Sequence, residues 1–178
     1  MQIRSVALAA LLATALSAQA DTVALWDFNT YSCNTGCTTP PKATQTANGG
    51  SLSAVGGVTF TSAAGSGTGS AFNTTSYPSQ GAGNLTRGIQ FLIDTTGYTD
   101  LVLTFAQRNS NTASAWTMLQ YTVDGSNWLN ATTFQMPAAS ATTFVNGLTF
   151  DFSSIVSANN NADFGIRFLT TFAPGTSA

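Results

Sequence analysis

Apolar residues in this chain recur at every second position, and no stretch of ten or more residues keeps a helical stripe. Alternation of that kind builds strands with one face toward a core and one toward water. In GIQFLID, Ile89, Phe91 and Ile93 point one way, while Gln90, Leu92 and Asp94 point the other. LVLTF places Leu101, Leu103 and Phe105 on one face, and WTMLQYTV sets Thr117, Leu119, Tyr121 and Val123 against Trp116, Met118, Gln120 and Thr122. LTFDF groups Leu148, Phe150 and Phe152, and FGIRFLTTF groups Phe164, Ile166, Phe168 and Phe172. Earlier candidates are TVALWDFN, the run SAVGGVTFTS over residues 53–62, and a weaker run over 70–73. Clusters such as TANGGS, AAGSGTGS, YPSQGAGN and SANNNA separate these runs and mark turns. About eight or nine short strands spaced in this way predict an all-β fold, an antiparallel β-sandwich of jelly-roll type.

The first twenty residues differ in kind. Arg4 precedes an apolar stretch from Val6 to Leu16, and Ala18-Gln19-Ala20 follows it. A charged start, a short apolar run and a small-residue site describe a secretory signal peptide over residues 1–20. The expected product is then one sandwich domain over residues 21–178, exported to the cell exterior or cell surface. No later stretch approaches the roughly 20 apolar residues of a membrane span.

Export favours a disulfide, and Cys33 and Cys37 are the only cysteines, separated by the turn formers Asn34 and Gly36. A local clip is the expected pairing. Charged residues make up 7% of the chain, so solubility must come from hydroxyls and amides instead. Beyond the leader, four cations face seven aspartates. No basic stripe exists for phosphate neutralisation, which argues against nucleic acid as a partner.

The chain holds no histidine and no glutamate. Serine–histidine and cysteine–histidine relays and histidine-ligated zinc centres are therefore excluded. Only aspartates, among them Asp27, Asp94, Asp124 and Asp151, remain for two-carboxylate chemistry, and no two of them form a catalytic motif. No enzyme activity and no cofactor are expected. A structural calcium is the metal best suited to what is present, with Asp27, Asn29 and loop carbonyls as oxygen donors, although no stretch follows a calcium-loop pattern. Asp124-Gly125 lies between an alternating run and a second apolar segment, a strong hairpin signal; Gly125 supplies the positive φ and Asp124 bonds to nearby backbone.

Two arginines, Arg108 and Arg167, lie in or at the end of apolar strands. Each has two roles open to it: pairing with a strand aspartate, or presentation to an anionic ligand on a sheet face. Trp26, Trp116, Trp128, Tyr98 and Tyr121 are suited either to core packing or to stacking on sugar rings. Trp116, Tyr98 and Arg108 are the candidate ligand contacts.

Three segments carry a resemblance: GIQFLIDTTGYTDLVLTFAQRNSNTASAWTMLQYTVDGSNW, FDFSSIVSANNNADFGIRF and FAPGT. Over roughly residues 21–176 the chain resembles a family of bacterial secreted jelly-roll domains found in PEP-CTERM (exosortase-sorted) proteins and as accessory domains of extracellular nucleases and other hydrolases. DTTGYTD, QRNSNTAS and NNNADFGIRF are its most specific parts. The resemblance implies a non-catalytic surface or extracellular-matrix component with weak carbohydrate binding. Its alternative is an accessory domain of a nuclease or other hydrolase. Family members continue through another strand and then, when anchored, a Pro-Glu-Pro motif, an apolar span and a basic tail, where this chain has APGTSA. The corresponding expectation is either a truncated reading frame or a freely secreted form; a domain lacking its last strand would have an open sheet edge prone to self-association.

Overall fold

The computed structural model describes residues 21–79 and 81–176, so the leader segment lies outside the described residues. Among the described residues eleven strands form: β1 (Ala24–Leu25), β2 (Gln45–Thr46), β3 (Gly50–Val55), β4 (Thr59–Ala64), β5 (Ser70–Thr75), β6 (Gly88–Ile93), β7 (Val102–Gln107), β8 (Trp116–Thr122), β9 (Leu129–Gln135), β10 (Val145–Asp151) and β11 (Gly165–Thr171). All pairings between them are antiparallel, and the only helical pieces among the described residues are two short 3-10 turns. None is long and apolar enough to cross a membrane. The expected antiparallel sandwich is what forms. The strand count exceeds the expected eight or nine, partly because β1 and β2 are two residues each, too short to show alternation.

SAVGGVTFTS, one candidate run in the sequence, is in fact two strands. Gly56 and Gly57 take φ of 70° and 82°, and the chain leaves one sheet with β3 and enters another with β4. Such angles suit glycine and end a strand.

The principal sheet has the order β3-β6-β11-β8-β9, with β11 at its centre and β3 and β9 at its edges. Opposite it the strands are grouped in pairs, β10 with β7 and β4 with β5. The core lies between these layers. Leu52, Phe91, Leu119 and Ile166 come from the principal sheet, and Phe152 and Phe164 join them from the ends of β10 and β11. Aromatic edges meet across the gap: Phe105 of β7 lies 5.0 Å from Phe168 of β11, and Phe152 lies 6.1 Å from Tyr121 of β8. A second aromatic group, Phe28, Tyr31, Phe60 and Phe72, fills the space beneath β4 and β5, with Phe28 stacked 5.0 Å from Phe72.

Cys33 and Cys37 are disulfide-bonded, with Cα atoms 6.3 Å apart. The clip lies along β4: Cys37 and Phe60 exchange backbone hydrogen bonds of 2.9 and 3.0 Å, and Ser62 N donates to the Cys33 carbonyl at 2.8 Å. A loop this short constrains the unfolded chain little, so its main effect is local, holding the segment before Lys42 against the sandwich.

Candidate functional site: the outer face of the principal sheet

Because alternate side chains leave a strand on opposite faces, the register of the principal sheet fixes its outer face as firmly as its core. Leu52, Phe91, Ile166 and Tyr121 align across the sheet on the inner side. One residue along each strand, Ser53, Gln90, Arg167, Gln120 and Asn130 align on the other side. A bulge at Ala131 keeps Asn130 in this row: Leu119 faces Thr132 while Gln120 faces Asn130. The result is a polar row crossing all five strands, about 19 Å long at ~4.8 Å per strand.

Its centre is a joined set of side chains. Arg167 Nε donates to Gln120 Oε1 at 2.5 Å, and Gln120 Nε2 donates to Asn130 Oδ1 at 2.7 Å. Trp128, next to β9, lies with its ring 4.4 Å from the Arg167 guanidinium. Stacking of this sort is worth about 0.5–2 kcal/mol depending on exposure, and it holds the planar group in one orientation. Burial lowers the Arg167 pKa, and no carboxylate opposes that shift. It remains charged, since arginine stays protonated at any ordinary pH. Met118 and Thr133 occupy the next row, Trp116 pairs with Gln135 at the far end, and a shallow concavity of about 360 Å³ opens beside Ser51, Leu92 and Asp94.

Arg167 thus has no aspartate partner. The positions facing it on β6 and β8 are Gln90 and Gln120, so its register offers amides instead of carboxylates. Arg108 is exposed at the end of β7, with its guanidinium 5.3 Å from the Phe144 ring.

The three candidate contacts are not brought together. Trp116 begins β8 on the outer face, and Arg108 follows β7 in the opposite layer at the same end of the sandwich. Tyr98 lies at the other end, in the turn between β6 and β7. Of the other aromatics, Trp26 packs 4.9 Å from Phe91 and Tyr121 faces Phe152, so both belong to the interior. Gln90, Gln120 and Asn130 were missed as site residues. Alternation alone places Gln90 and Gln120 away from the core, but only the cross-strand register aligns them with Arg167.

The most distinctive sequence stretches have structural work. In the turn DTTGYTD, Thr95 is buried and its hydroxyl donates to the Ala158 carbonyl at 2.8 Å. Asn160 Oδ1 accepts from Gly97 N, Asn159 Oδ1 accepts from Asp100 N, and Asn161 Nδ2 donates to the Val123 carbonyl. The three asparagines therefore lock the turn and the β8–β9 hairpin to one corner. In QRNSNTAS, Asn109 Nδ2 donates to the Ser114 carbonyl, and the Ser114 hydroxyl donates to the Thr171 carbonyl.

Asp124 is likewise a turn residue. Its Oδ1 accepts from Ser126 N at 2.9 Å and Asn127 N at 2.7 Å, its Oδ2 accepts from Asn127 Nδ2 at 2.6 Å, and Gly125 takes φ of 70°. The loop is longer than a two-residue hairpin because the carboxylate gathers these donors inside it. Asn127, foremost, holds the Asp124 carboxyl well below the usual carboxylate range. Asp94 is lowered by Thr96 and Asp151 by Ser153. A glycosidase acid needs the opposite shift, so none of these three is prepared to donate a proton at neutral pH. Asp27 Oδ1 accepts from Asn29 N and the Thr44 hydroxyl, and no group of three or more metal-ligating side chains of the His, Cys, Asp and Glu types occurs among the described residues.

The depressed Asp124 pKa carries a pH prediction with a definite sign. A carboxylate lowered on folding adds stability above its unfolded value, 3.8, and that contribution fades as pH falls through the folded value. Asp124→Asn should therefore melt at a lower temperature than the parent at pH 7. The gap should narrow as pH drops below about 4. Thermal melts of both proteins from pH 7 to pH 2 provide the check, and a gap constant with pH would contradict the assignment.

Fold and face together define an all-β sandwich with an amide-lined and aromatic-flanked sheet surface. Comparison of the chain with protein-family models, with curated proteins and with solved structures gives no match.

Proposed function

We propose that the protein is a secreted, non-catalytic component of the bacterial cell surface or extracellular matrix that binds carbohydrate through the outer face of its principal sheet. The observation that carries this reading is the row Ser53, Gln90, Arg167, Gln120 and Asn130, with Trp128 and Trp116 on the same face. Gln120 is buried with its Oε1 and Nε2 already bonded to Arg167 and Asn130, so the donors and acceptors left to a ligand come from Ser53, Gln90 and Asn130, amides and a hydroxyl that suit the hydroxyls of a sugar. A row that crosses five strands suits an extended chain of sugars better than a single small molecule. The exported character expected from residues 1–20, the disulfide and the resemblance to exosortase-sorted proteins all point to the same compartment.

Affinity electrophoresis of folded protein in gels containing soluble neutral and acidic polysaccharides tests the reading. At least one polymer should retard the parent, and Trp128→Ala should weaken that interaction about tenfold, the scale of losing an aromatic anchor. Migration unchanged by every polymer, with the fold verified by circular dichroism, would remove the carbohydrate role.

A further inference from the structure

We infer that the ligand of this face carries carboxylates: an acidic polysaccharide of the uronate type, with Arg167 as the residue that holds the anion. This inference rests on the carbohydrate reading above and narrows it to one class of polymer.

The case begins with a charge that lacks its usual partner. A half-buried guanidinium loses hydration, and chains generally offset that loss with a carboxylate. Here the mature segment has seven aspartates, yet the groups beside Arg167 in its row are Gln90 and Gln120. Gln120 Oε1 accepts the hydrogen bond from Nε, and the Trp128 ring lies 4.4 Å from the guanidinium carbon. Among the described residues neither terminal nitrogen of Arg167 has a hydrogen-bond partner. Those two nitrogens form the edge that grips a carboxylate with two parallel bonds.

The surroundings select further. Gln90 and Gln120 flank the arginine within its row, with Asn130 one strand beyond Gln120, so neutral polar groups stand on either side, as hydroxyls next to a sugar carboxylate would require. Asp124 and Asp163 lie off the row toward the hairpin end of the sheet, and the Asp124 oxygens are already occupied by the loop. With a single cation in the row, the attraction is local rather than a broad positive field. It discriminates an acidic sugar from a neutral one without drawing in polyanions in general, whose binding depends on many cations.

Polygalacturonate and its fully methyl-esterified form make a matched pair of probes, since they differ in charge at the carboxyl group while the backbone is retained. Titration calorimetry of the full secreted chain should show tighter binding to the acid form. Arg167→Gln should weaken that binding about 10- to 100-fold, as loss of a charge-assisted pair does, and leave the ester within about twofold. Arg167→Lys keeps the charge and stem without the fork, and should still lose most of the affinity. It also covers the case in which the glutamine variant fails to fold.

The outcomes separate cleanly. Equal binding of acid and ester, unchanged by Arg167→Gln, would overturn the anionic assignment while leaving the carbohydrate reading standing. Full affinity in Arg167→Lys would overturn the two-bond role. Binding of poly-glutamate as tight as that of polygalacturonate would overturn it in favour of an acidic polypeptide partner. Silence toward every polysaccharide by folded parent protein would remove the reading on which the inference rests.

Discussion

Phe152→Ala is expected to destabilise the protein by about 3–5 kcal/mol, the largest effect of any single truncation considered for this fold. Phe152 is 1% exposed and sits where the layers meet, with ring centroids 4.6 Å from Phe150, 5.4 Å from Phe164 and 6.1 Å from Tyr121. Its backbone is fixed as well, since Phe152 N donates to the Leu101 carbonyl at 2.8 Å. The surrounding rings are therefore held by their own strands and collapse only partly into the space left behind. Domains of this kind have about 5–15 kcal/mol in total, so one such cavity removes a large share. At roughly 2–4 °C per kcal/mol for a chain of this size, the melting temperature should fall on the order of 10 °C. A fall within about 2 °C of the parent would show that the aromatic junction does not join the layers, since a true core cavity costs far more.

Gly88→Ala should cost about 3 kcal/mol or more, although it adds only one methyl group. A Cβ at Gly88 would stand 1.8 Å from the carbonyl oxygen of Phe168 and 3.0 Å from Leu169 Cα, both of them backbone atoms on β11. No rotamer change relieves a clash with backbone, so β6 must move away from the strand it pairs with. Gly88 faces Leu169 and Val55 in the register, which means the displacement disturbs both neighbours of β6. The same movement shifts Gln90, two residues along, relative to Arg167. Denaturant titration measures the stability loss, and amide exchange should show faster opening along β6 and β11 than along β8 and β9. A variant as stable as the parent would mean that the close approach of these strands is not a feature of the fold.

These consequences differ in how far the sequence foretold them. Phe152 was legible, because the alternation in LTFDF places it with Leu148 and Phe150 on a core face. Gly88 was not: nothing in GIQFLID reveals how closely a distant strand approaches. The division of SAVGGVTFTS into two strands was hidden for a related reason, since residues on both sides of Gly56-Gly57 favour strands and only the sheet assignment separates them. β1 and β2 are two residues long and leave no periodic trace.

The candidate site divides in the same way. Trp116 and Trp128 are visible as aromatics outside the strict core pattern, and Arg167 as a cation inside an apolar strand. Their relation depends on β11 meeting the β8–β9 hairpin in one register from well along the sequence, a property of pairing rather than of any local segment. Conversely, DTTGYTD and the asparagines that open NNNADFGIRF, among the stretches that look most distinctive, are used up in holding a corner. Asn159, Asn160 and Asn161 each have a backbone partner there, which explains their presence without a ligand.

The most direct measurement is a nuclear magnetic resonance titration of 15N-labelled protein with a short galacturonate oligomer, following the side-chain signals of Gln90, Gln120, Asn130 and Arg167. If the outer face of the principal sheet is the binding surface, these signals move together and saturate, while the side-chain amides of Asn160 and Asn161 at the locked corner stay in place. Saturable movement at the corner or in the layer of β7 and β10, with the row unchanged, would contradict the account.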